Sequence, residues 1–493
     1  MPSILALDQG TTGSTAMVVH QDGRVLGRGY REFTQYFPQP GWVEHDPEEI
    51  FRITLDAARE ALRQAGETPV GIGITNQRET VALWDRKTLT PVAPAIVWQD
   101  RRTAERCREL KAEGKENLIR QKTGLVLDPY FSGTKLEWLL RDPGLRRRAE
   151  RGEIAAGTID SWLIAKLTGG RVHVTDHTNA SRTLLYDLAS RDWDDTLLGL
   201  FSVPRVLLPS IVRSSQVLSE TDPALFGAPL SIAGIAGDQQ AALFGQGCVH
   251  PGLAKNTYGT GAFLLAYTGQ SKPLSQSGLL TTCACGPRGE PAYALEGSVF
   301  IAGAAIQWLR DGLGLIGAAG ETEALARSVP DTGGVHMVPA FVGLGSPHWE
   351  AEARGTIVGL TRGTARAHLV RAALEAMAHS TRDLLGAMIA DANLTLEALR
   401  VDGGAAANDW MMQFQADLLG VPVERPDNIE TTALGAAALA GLALGTWRTV
   451  DDFLAGRKFR RFEPALNDAE RERLVAGWQR AVHATLAWAR GVP

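Results

Sequence analysis

Two short turns of glycine and threonine, each between two apolar strands, constrain this chain more than any other feature of its sequence. The first joins apolar residues 4–7 to 16–19 through the run Asp-Gln-Gly-Thr-Thr-Gly-Ser. The second, Tyr-Gly-Thr-Gly at residues 258–261, opens the apolar run 262–266. Glycine lets a ligand approach the backbone, and threonine adds a hydroxyl donor beside exposed N–H groups. Two such turns predict two matched half-molecules that grip one string of phosphates.

The composition favours a soluble enzyme of two or more domains. The chain has 493 residues, whereas single domains usually have about 100–200. Its 50 basic and 55 acidic residues give a net charge of −5, which offers no electrostatic case for binding nucleic acid or an anionic membrane. The longest apolar stretches, such as residues 433–444, are shorter than the about 20 residues that a membrane span needs. We therefore expect no nucleic-acid partner and no membrane insertion.

The cysteines predict a reducing compartment. The four are Cys107, Cys248, Cys283 and Cys285. Only the last two are close in sequence, and no second pair completes a zinc site. Asp8 interrupts the first apolar run, so no signal peptide is visible. We expect four reduced thiols in a cytoplasmic protein.

Strand and helix signals alternate in both halves, which predicts α/β layers with helices on both faces of each sheet. In the first half, Asp46 and Pro47 begin a helix that ends at Gly66. Further strands and helices are predicted at residues 70–75, 230–236, 239–244, 254–258, 263–267, 303–310, 365–390, 399–401, 408–419 and 431–444. The polar, Gly- and Pro-bearing stretch 245–252 marks a boundary. We predict two domains, residues 1–247 and 248–493.

Neither of the common nucleotide-binding loops is present. The only Gly-Lys, at residues 114–115, lacks the earlier glycine of a Walker A loop, because Glu109 occupies that position. No G-x-G-x-x-G pattern occurs at Gly71, Gly259 or Gly343. A phosphate site would therefore be built from the two Gly-Thr turns, although ordinary hairpin turns are also rich in these residues. Asp8, a carboxylate at a strand end beside the first turn, is placed to hold Mg²⁺ through water.

The run Asp402-Gly403-Gly404-Ala405 is a third candidate for contact with a nucleotide. It follows a predicted strand, and its glycines let a flat base approach the backbone. The alternative is a left-handed turn before a helix, with Asn408 as the N-cap. The residues alone leave both interpretations open.

Several runs of residues resemble the FGGY carbohydrate kinases and follow the family order along nearly the whole chain. The family-wide runs are Leu-Ala-Leu-Asp-Gln-Gly-Thr-Thr at residues 5–12, Gly-Ile-Ala-Gly-Asp-Gln-Gln-Ala-Ala-Leu-Phe-Gly at 234–245 and Asn-Thr-Tyr-Gly-Thr-Gly at 256–261. Finer matches, at residues 41–47, 74–80, 95–99, 128–135 and 400–405, resemble the members that phosphorylate glycerol. The resemblance implies two ribonuclease-H-like domains of the actin, Hsp70 and hexokinase type, with the active site in the cleft between them.

The resemblance also implies the reaction. It is transfer of a phosphoryl group from ATP to glycerol with Mg²⁺, giving sn-glycerol 3-phosphate and ADP, the first step of glycerol catabolism. Such a transfer has a loose transition state, in which alignment and electrostatics matter more than a strong base. Asp238 is the predicted catalytic residue, which accepts the hydroxyl proton. On spacing alone it is better explained as the N-cap of the helix at residues 239–244, and both roles can coexist.

The resemblance places a glycerol site on seven residues. Those assigned to the hydroxyls are Arg78, Glu79, Tyr130, Asp238 and Gln239, and those assigned to the carbons are Trp98 and Phe263. Adjacent residues of a strand point to opposite faces, so the backbone must leave the strand before Arg78 and Glu79 touch one ligand. Without the resemblance, this charged pair would be a solvated surface pair and the aromatic residues would be core.

On the nucleotide side the resemblance assigns eight residues to ATP. Those near the phosphates are Thr11, Thr12, Gly13 and Thr260, and those near the rest of the nucleotide are Gly303, Gln307, Gly404 and Asn408. Asp8 and Asp238 are the predicted Mg²⁺ ligands.

The chain departs from the family pattern at two places. Thr15 stands where many relatives have an arginine, so we expect a missing cationic phosphate contact and weaker binding of ATP or ADP. The loop at residues 221–228 lacks the basic residue with which some relatives bind fructose 1,6-bisphosphate, and it lacks the histidine that is phosphorylated in others. We expect neither control here.

Two other functions stay open on the sequence. Another member of the family would act on a pentulose or an erythritol-like polyol, although Arg78, Glu79, Trp98 and Tyr130 resemble the glycerol site. An actin-like or chaperone role on the shared ATPase fold would leave these polyol residues unexplained. The resemblance also implies a homo-oligomer, either a dimer or a tetramer, and no sequence feature decides between the two.

Overall fold

Two large β-sheets, one in each half of the chain, organise the protein, here a computed structural model that describes residues 2–491. We call residues 1–247 the first half and residues 248–493 the second half, after the predicted domains. The division itself stays a prediction, because one helix of the second half packs on the sheet of the first.

The first half alternates strands and helices. Its strands are β1 (Ser3–Gln9), β2 (Gly13–His20), β3 (Val25–Glu32), β4 (Glu44–His45), β5 (Gly71–Asn76), β6 (Val81–Asp85), β7 (Ala95–Ile96), β8 (Ile154–Thr158), β9 (Val174–Asp176), β10 (Tyr186–Asp187), β11 (Asp192–Trp193), β12 (Ser210–Val212), β13 (Ser215–Glu220) and β14 (Ser231–Gly237). Its helices are α1 (Pro47–Ala65), α2 (Ala104–Ala112), α3 (Glu116–Thr123), α4 (Ser132–Leu139), α5 (Pro143–Glu150), α6 (Ile159–Leu167), α7 (His177–Ala180), α8 (Asp195–Leu200), α9 (Pro223–Phe226) and α10 (Asp238–Gly245), with a short 3₁₀ helix at Arg205–Leu207.

The second half has fewer and longer elements. Its strands are β15 (Leu253–Tyr258), β16 (Ala262–Gly269), β17 (Leu280–Cys285), β18 (Pro291–Val299), β19 (His336–Val338), β20 (Thr356–Val358), β21 (Ala398–Asp402), β22 (Val423–Pro426) and β23 (Phe459–Phe462). Its helices are α11 (Gly303–Asp311), α12 (Glu321–Arg327), α13 (Arg366–Ala392), α14 (Asp409–Leu419), α15 (Thr431–Ala443), α16 (Val450–Leu454) and α17 (Asp468–Ala489), with a 3₁₀ turn at Gly404–Ala407.

The two large sheets share one topology. In the six-stranded sheet of the first half, the strands β3, β2, β1, β5 and β14 lie side by side, with antiparallel pairing up to β1 and parallel pairing beyond it. In the seven-stranded sheet of the second half, the strands β18, β16, β15, β21 and β22 repeat this order and these directions. The two predicted Gly-Thr turns therefore occupy equivalent places, between β1 and β2 and between β15 and β16.

Helix α1 shows how local sequence sets an element of the first half. The Asp46 side chain accepts a hydrogen bond from the N–H of Glu48, and Pro47 takes the first helical position, where no N–H is needed. Gly66 ends the helix in a left-handed conformation with φ of 66°. The apolar side chains along one face, among them Ile50, are buried against β2 and β3. The predicted start and end of this helix are confirmed.

Helix α15 ties the halves together through glycines. It belongs to the second half by sequence, yet it covers β1, β5 and β14 of the first and packs along α10. A Cβ atom on Gly435 would lie 1.9 Å from the carbonyl oxygen of Ala241 in α10, and one on Gly73 of β5 would lie 2.0 Å from that of Ala436. Only glycine permits this approach, because no real Cβ tolerates such distances. Helix α15 is thereby held closely against both α10 and β5 of the first half.

Among residues 2–491, no helix combines the length and the apolar character that crossing a bilayer requires.

We predict that Gly435→Ala lowers the free energy of unfolding by about 2–4 kcal/mol, because the added methyl group overlaps the backbone of α10 and forces the two helices apart. Urea unfolding followed by circular dichroism measures the change. Gly386→Ala is the matched control, since Gly386 lies in helix α13, is exposed and has open space around its Cβ position. The control should gain up to about 1 kcal/mol from helix propensity. Equal stability of the two variants would contradict the packing account.

Candidate functional site

A buried pair of charged residues, Arg78 and Glu79, follows β5. The strand ends at Asn76, and Glu79 has a φ of +62°, a left-handed conformation that is rare for a residue with a side chain. The N–H of Thr80 donates to the Arg78 carbonyl at 2.7 Å and closes a tight turn. The backbone has thus left the strand, and both side chains enter the same buried region, where each is at most 2% exposed. The alternative that Arg78 and Glu79 form a solvated pair on the surface is therefore excluded.

Two further charged residues, Arg182 and Glu296, complete a buried cluster with this pair. The Glu296 carboxylate binds the Arg78 guanidinium through both oxygens, at 2.6 Å to Nη1 and 2.9 Å to Nη2. Arg182 donates from Nε to Glu79 at 2.6 Å and from Nη2 to Glu296 at 3.1 Å. We call Arg78, Glu79, Arg182 and Glu296 the charge ring. Its four side chains are at most 2% exposed and carry no net charge.

The pKa values of the two carboxyl groups follow from these contacts. Burial alone would raise the pKa of Glu296, but Arg182 and Arg78 together lower it to about 2. Burial raises the pKa of Glu79 above its ordinary value, and Arg182 and Arg78 oppose that shift. The arginine neighbours therefore stabilise the charged form of Glu79 against the effect of burial.

Asp238 joins the charge ring to the first turn of helix α10. Its carboxylate lies 3.2 Å from Nε of Arg78, and its side chain is 31% exposed. The prediction that Asp238 is the N-cap is wrong, because Gly237 has the N-cap position and Asp238 is the first helical residue. The carboxylate still accepts from the N–H of Gln239 at 2.7 Å, where the positive end of the helix favours a negative charge. Asp238 is the ring's one neighbouring carboxylate with solvent access.

Gln239 is held by a buried lysine. Lys255 of β15 donates from Nζ to the Oε1 atom of Gln239 and, at 2.8 Å, to the hydroxyl of Thr257. Burial lowers the pKa of Lys255, while the Asp402 and Asp238 carboxylates oppose that change. An ammonium group only donates, so this contact turns the amide nitrogen of Gln239 away from the lysine.

The three predicted aromatic residues lie around the same region. The ring of Trp98 packs edge-on against Tyr130, with 5.4 Å between the ring centroids, and its Nε1 donates to the hydroxyl of Thr11 at 2.9 Å. The Arg182 guanidinium lies 5.5 Å from the Tyr130 ring centroid. Phe263 is half-buried on β16, opposite Thr257 in the pairing of β15 with β16. Trp98 and Tyr130 thus meet beside Arg182 of the charge ring.

A cavity of about 550 Å³ lies in the second half. Five of the predicted nucleotide residues line it: Thr260, Gly303, Gln307, Gly404 and Asn408. Its walls also include residues that the sequence did not indicate, among them Arg310, Thr322 and Glu323. Thr11, Thr12 and Gly13 are not part of this lining, since they belong to the turn of the first half.

Close backbone contacts shape the cavity. A Cβ atom on Gly303 would lie 2.6 Å from the carbonyl oxygen of Gly259, and one on Gly403, which has a φ of +84°, would lie 2.3 Å from that of Tyr258. Asn408 caps helix α14 by accepting from the N–H of Met411 at 2.9 Å, as predicted. The same side chain donates to the hydroxyl of Thr322 at 3.2 Å. Asn408 thus caps helix α14 and also lines the cavity.

Asp8 stands near the end of β1, opposite Thr15 in the pairing of β1 with β2. Burial raises its pKa to about 8, and the charges of Asp238 and Glu430 add to the shift. Carboxylates crowded in this way are the oxygen ligands that Mg²⁺ favours, and the ion would relieve their repulsion. Within residues 2–491, no group of three or more His, Cys, Asp or Glu side chains forms a complete metal site. The donors fit an ion that keeps several waters and binds phosphate oxygens.

Sequence reasoning missed Arg182, Glu296 and Lys255. Glu296 carries a signal, because it follows the apolar run of β18 and a buried charge needs a partner, whereas Lys255 lies beside other polar residues of β15 and carries none. Arg182 carries none, since it follows the short helix α7 in a polar segment.

Comparison with known proteins covers nearly the full chain. The models of the FGGY family of carbohydrate kinases match residues 3–245 with the N-terminal domain and 254–444 with the C-terminal domain. A glycerol kinase of Carboxydothermus hydrogenoformans is 58% identical over 491 residues, which are 98% of either protein. Glycerol kinase 2 of Thermotoga maritima is 56% identical over 493 residues, which are 99% of either protein.

Solved structures of two kinases have the same fold as this chain. A crystal structure of Plasmodium falciparum glycerol kinase with ADP superposes with a TM-score of 0.94 at 36% identity, covering 99% of this chain and 98% of that one. A gluconate kinase of Lactobacillus acidophilus has a TM-score of 0.88 at 21% identity, over 99% of this chain and 98% of that one, and shows the shared fold alone. The expected two-domain α/β fold is confirmed. This chain belongs to the FGGY family of carbohydrate kinases.

Proposed function

We infer that this protein transfers the terminal phosphoryl group of ATP to glycerol, giving sn-glycerol 3-phosphate and ADP, the first step of glycerol catabolism. The observation that carries the proposal is the meeting of Arg78, Glu79 and Asp238 in one wall of the site. The chain's 58% identity to a relative named glycerol kinase supports it.

The proposed glycerol site offers donors, acceptors and apolar faces in the proportions that a three-carbon polyol needs. Arg78 donates to hydroxyl oxygens, and Glu79 accepts from a hydroxyl group. Tyr130 and Gln239 supply further polar contacts, and the rings of Trp98 and Phe263 cover the carbon atoms. Two of these aromatic residues already touch, which supports their assignment to one wall.

Asp238 is the proposed acceptor of the proton from the attacking hydroxyl. Its carboxylate is the one that combines contact with Arg78 and access from solvent. The contact with Nε of Arg78 holds the carboxylate in place, and the helix end stabilises its charge. As the oxygen–phosphorus bond forms, the hydroxyl proton passes to Asp238 and ADP departs with the electrons of the broken bond.

The nucleotide is proposed to lie across both Gly-Thr turns. Thr260, Gly303, Gln307, Gly404 and Asn408 bind it in the cavity of the second half, whose residues already converge. Thr11, Thr12 and Gly13 approach its phosphates from the turn of the first half. Asp8 and Asp238 would hold Mg²⁺, which when bound neutralises charge on the phosphate oxygens.

We further propose a cytoplasmic location, in keeping with four cysteines that are all free, buried thiols. The homo-oligomer stays a prediction.

An assay of ADP release tests the proposal, with glycerol, two pentuloses and no acceptor compared in parallel, and with the phosphorylated product identified by mass. We expect turnover with glycerol that exceeds the other rates by about a hundredfold or more, because a site of buried polar groups rejects poorly matched hydroxyls. Faster turnover with a pentulose would favour another sugar kinase, and equal turnover without acceptor would favour an ATPase of different function.

Asp238→Asn should lower kcat by about 10³-fold or more, because the amide cannot accept the proton in the transition state. The dissociation constant of metal-free ADP, measured by calorimetry in EDTA, should stay within about twofold, since the cavity of the second half is untouched. Asp222→Asn is the control, because Asp222 caps the exposed helix α9 by the same kind of bond, away from the site. Normal turnover in Asp238→Asn would remove Asp238 from its role.

Thr15→Arg should tighten the binding of ADP by about three- to tenfold, because opposite residues of an antiparallel pair share a face and the arginine would extend beside Asp8 toward the phosphates. Calorimetric titration at two salt concentrations measures this, and the gain should shrink at high salt. An unchanged dissociation constant for ADP would show that the absence of an arginine at position 15 does not weaken nucleotide binding.

Asp8→Asn should stabilise the ligand-free protein while lowering its activity. Because the pKa of Asp8 in the folded protein, about 8, exceeds its ordinary value of 3.8, the folded state holds a proton that the unfolded state releases. Stability from this group therefore falls as the pH rises from about 4 to 8. The variant should gain about 1–2 kcal/mol at pH 8 in EDTA and less at pH 5. If the variant were less stable than the original protein at pH 8, the charged Asp8 carboxylate would not be destabilised by burial and by its neighbours, and the explanation would be wrong.

A further inference from the structure

We propose that Arg182 and Glu296 are positioning residues for the glycerol site, holding Arg78 and Glu79 in the geometry that binds the polyol. The inference rests on the proposed function and extends it to two residues, one from each half.

Glu296 fixes the plane of the Arg78 guanidinium. It reaches Arg78 from β18 of the second half, and its two oxygens bind Nη1 and Nη2 side by side. A two-point contact of this kind fixes orientation as well as distance. Gln240 adds a third acceptor at 3.2 Å from Nη1. Both N–H groups of Nη1 are thus committed and Nε faces Asp238, which leaves one N–H of Nη2 to donate to a hydroxyl of the substrate.

Arg182 fixes the carboxylate of Glu79. Its Nε donates to the Oε1 atom of Glu79, which leaves Oε2 to accept a hydroxyl of the substrate. The guanidinium is itself held between Glu296 and the rings of Tyr130 and Phe131, at 5.5 and 5.2 Å from their centroids. Arg182 is fully buried, and its Nη1 is one of the few buried polar atoms of the described residues that find no partner. A fully buried arginine in a wall of the site is costly unless it serves the groups around it.

The charged groups around Glu79 give the positioning role of Arg182 a measurable effect on pH dependence. Those that face it are Arg78, Arg182 and Glu296, together with the Tyr130 hydroxyl and the amine of Lys135, whose pKa burial lowers to about 7. Burial raises the pKa of Glu79 and the two arginines oppose the rise. Removing Arg182 therefore moves this pKa further upward, and a protonated Glu79 is a weaker acceptor for a hydroxyl.

Three full-length variants test the proposal by steady-state kinetics between pH 6 and pH 8.5. Arg182→Met removes the charge and the hydrogen bonds, and Arg182→Lys keeps the charge but loses the planar fork. Arg191→Met is the matched control. Arg191 also reaches β18 of the second half, donating to the Tyr293 hydroxyl at 3.1 Å, but it does not touch the charge ring.

We expect Arg182→Met to raise the KM for glycerol by about tenfold or more while the KM for ATP stays within about twofold. The glycerol KM of this variant should rise more steeply as the pH falls from 8.5 to 6 than that of the unmodified protein and of Arg191→Met, because all three share the titration of Lys135 and only this variant lacks the Arg182 charge. Arg182→Lys should recover part of the loss.

An unchanged glycerol KM in Arg182→Met, or equal rises in both KM values without pH dependence, would overturn the proposal. If Arg182→Met does not fold, Arg182→Lys decides, because a higher, pH-dependent glycerol KM supports the role and an unchanged one refutes it. Failure of the proposed function looks different, since the unmodified protein would then show no turnover that depends on glycerol.

Discussion

The charge ring is the interaction on which the rest of the structure depends. Two arginines and two glutamates are buried together, and each charge is tolerable only because opposite charges lie within hydrogen-bonding distance. Three members come from the first half and Glu296 comes from β18 of the second. The wall of the proposed glycerol site is therefore built by both halves, and Asp238 is in contact with one ring member, Arg78.

Close backbone contacts at glycine residues also join the two halves. Helix α15 lies on the sheet of the first half because Gly73 and Gly435 leave room for it. This places α10, and with it Asp238, between elements of both halves. The cavity of the second half, which is the proposed nucleotide site, is built differently, from turns and helix ends.

Much of the fold could be predicted from local chemistry. A few adjacent residues are enough to predict the caps of α1, the two hairpins and the cap at Asn408. All of these are found in the structure. The N-cap assigned to Asp238 was wrong by one position, because Gly237 also fits an N-cap and spacing cannot rank the two. The partners of the charge ring lie about a hundred or more residues from Arg78 and Glu79 along the chain, so no local pattern joins them. The ligand roles of the site residues stay predictions.

A double-mutant cycle between Arg78 and Glu296 tests the central claim most directly. Unfolding free energies would be measured for Arg78→Met, Glu296→Met and the double variant. Each single substitution strands a buried charge and should cost about 3–5 kcal/mol, whereas the double variant should lose clearly less than the sum, with a coupling of about 2 kcal/mol or more. Losses that add within about 0.5 kcal/mol would contradict the account, because the two halves would then not be joined by this pair.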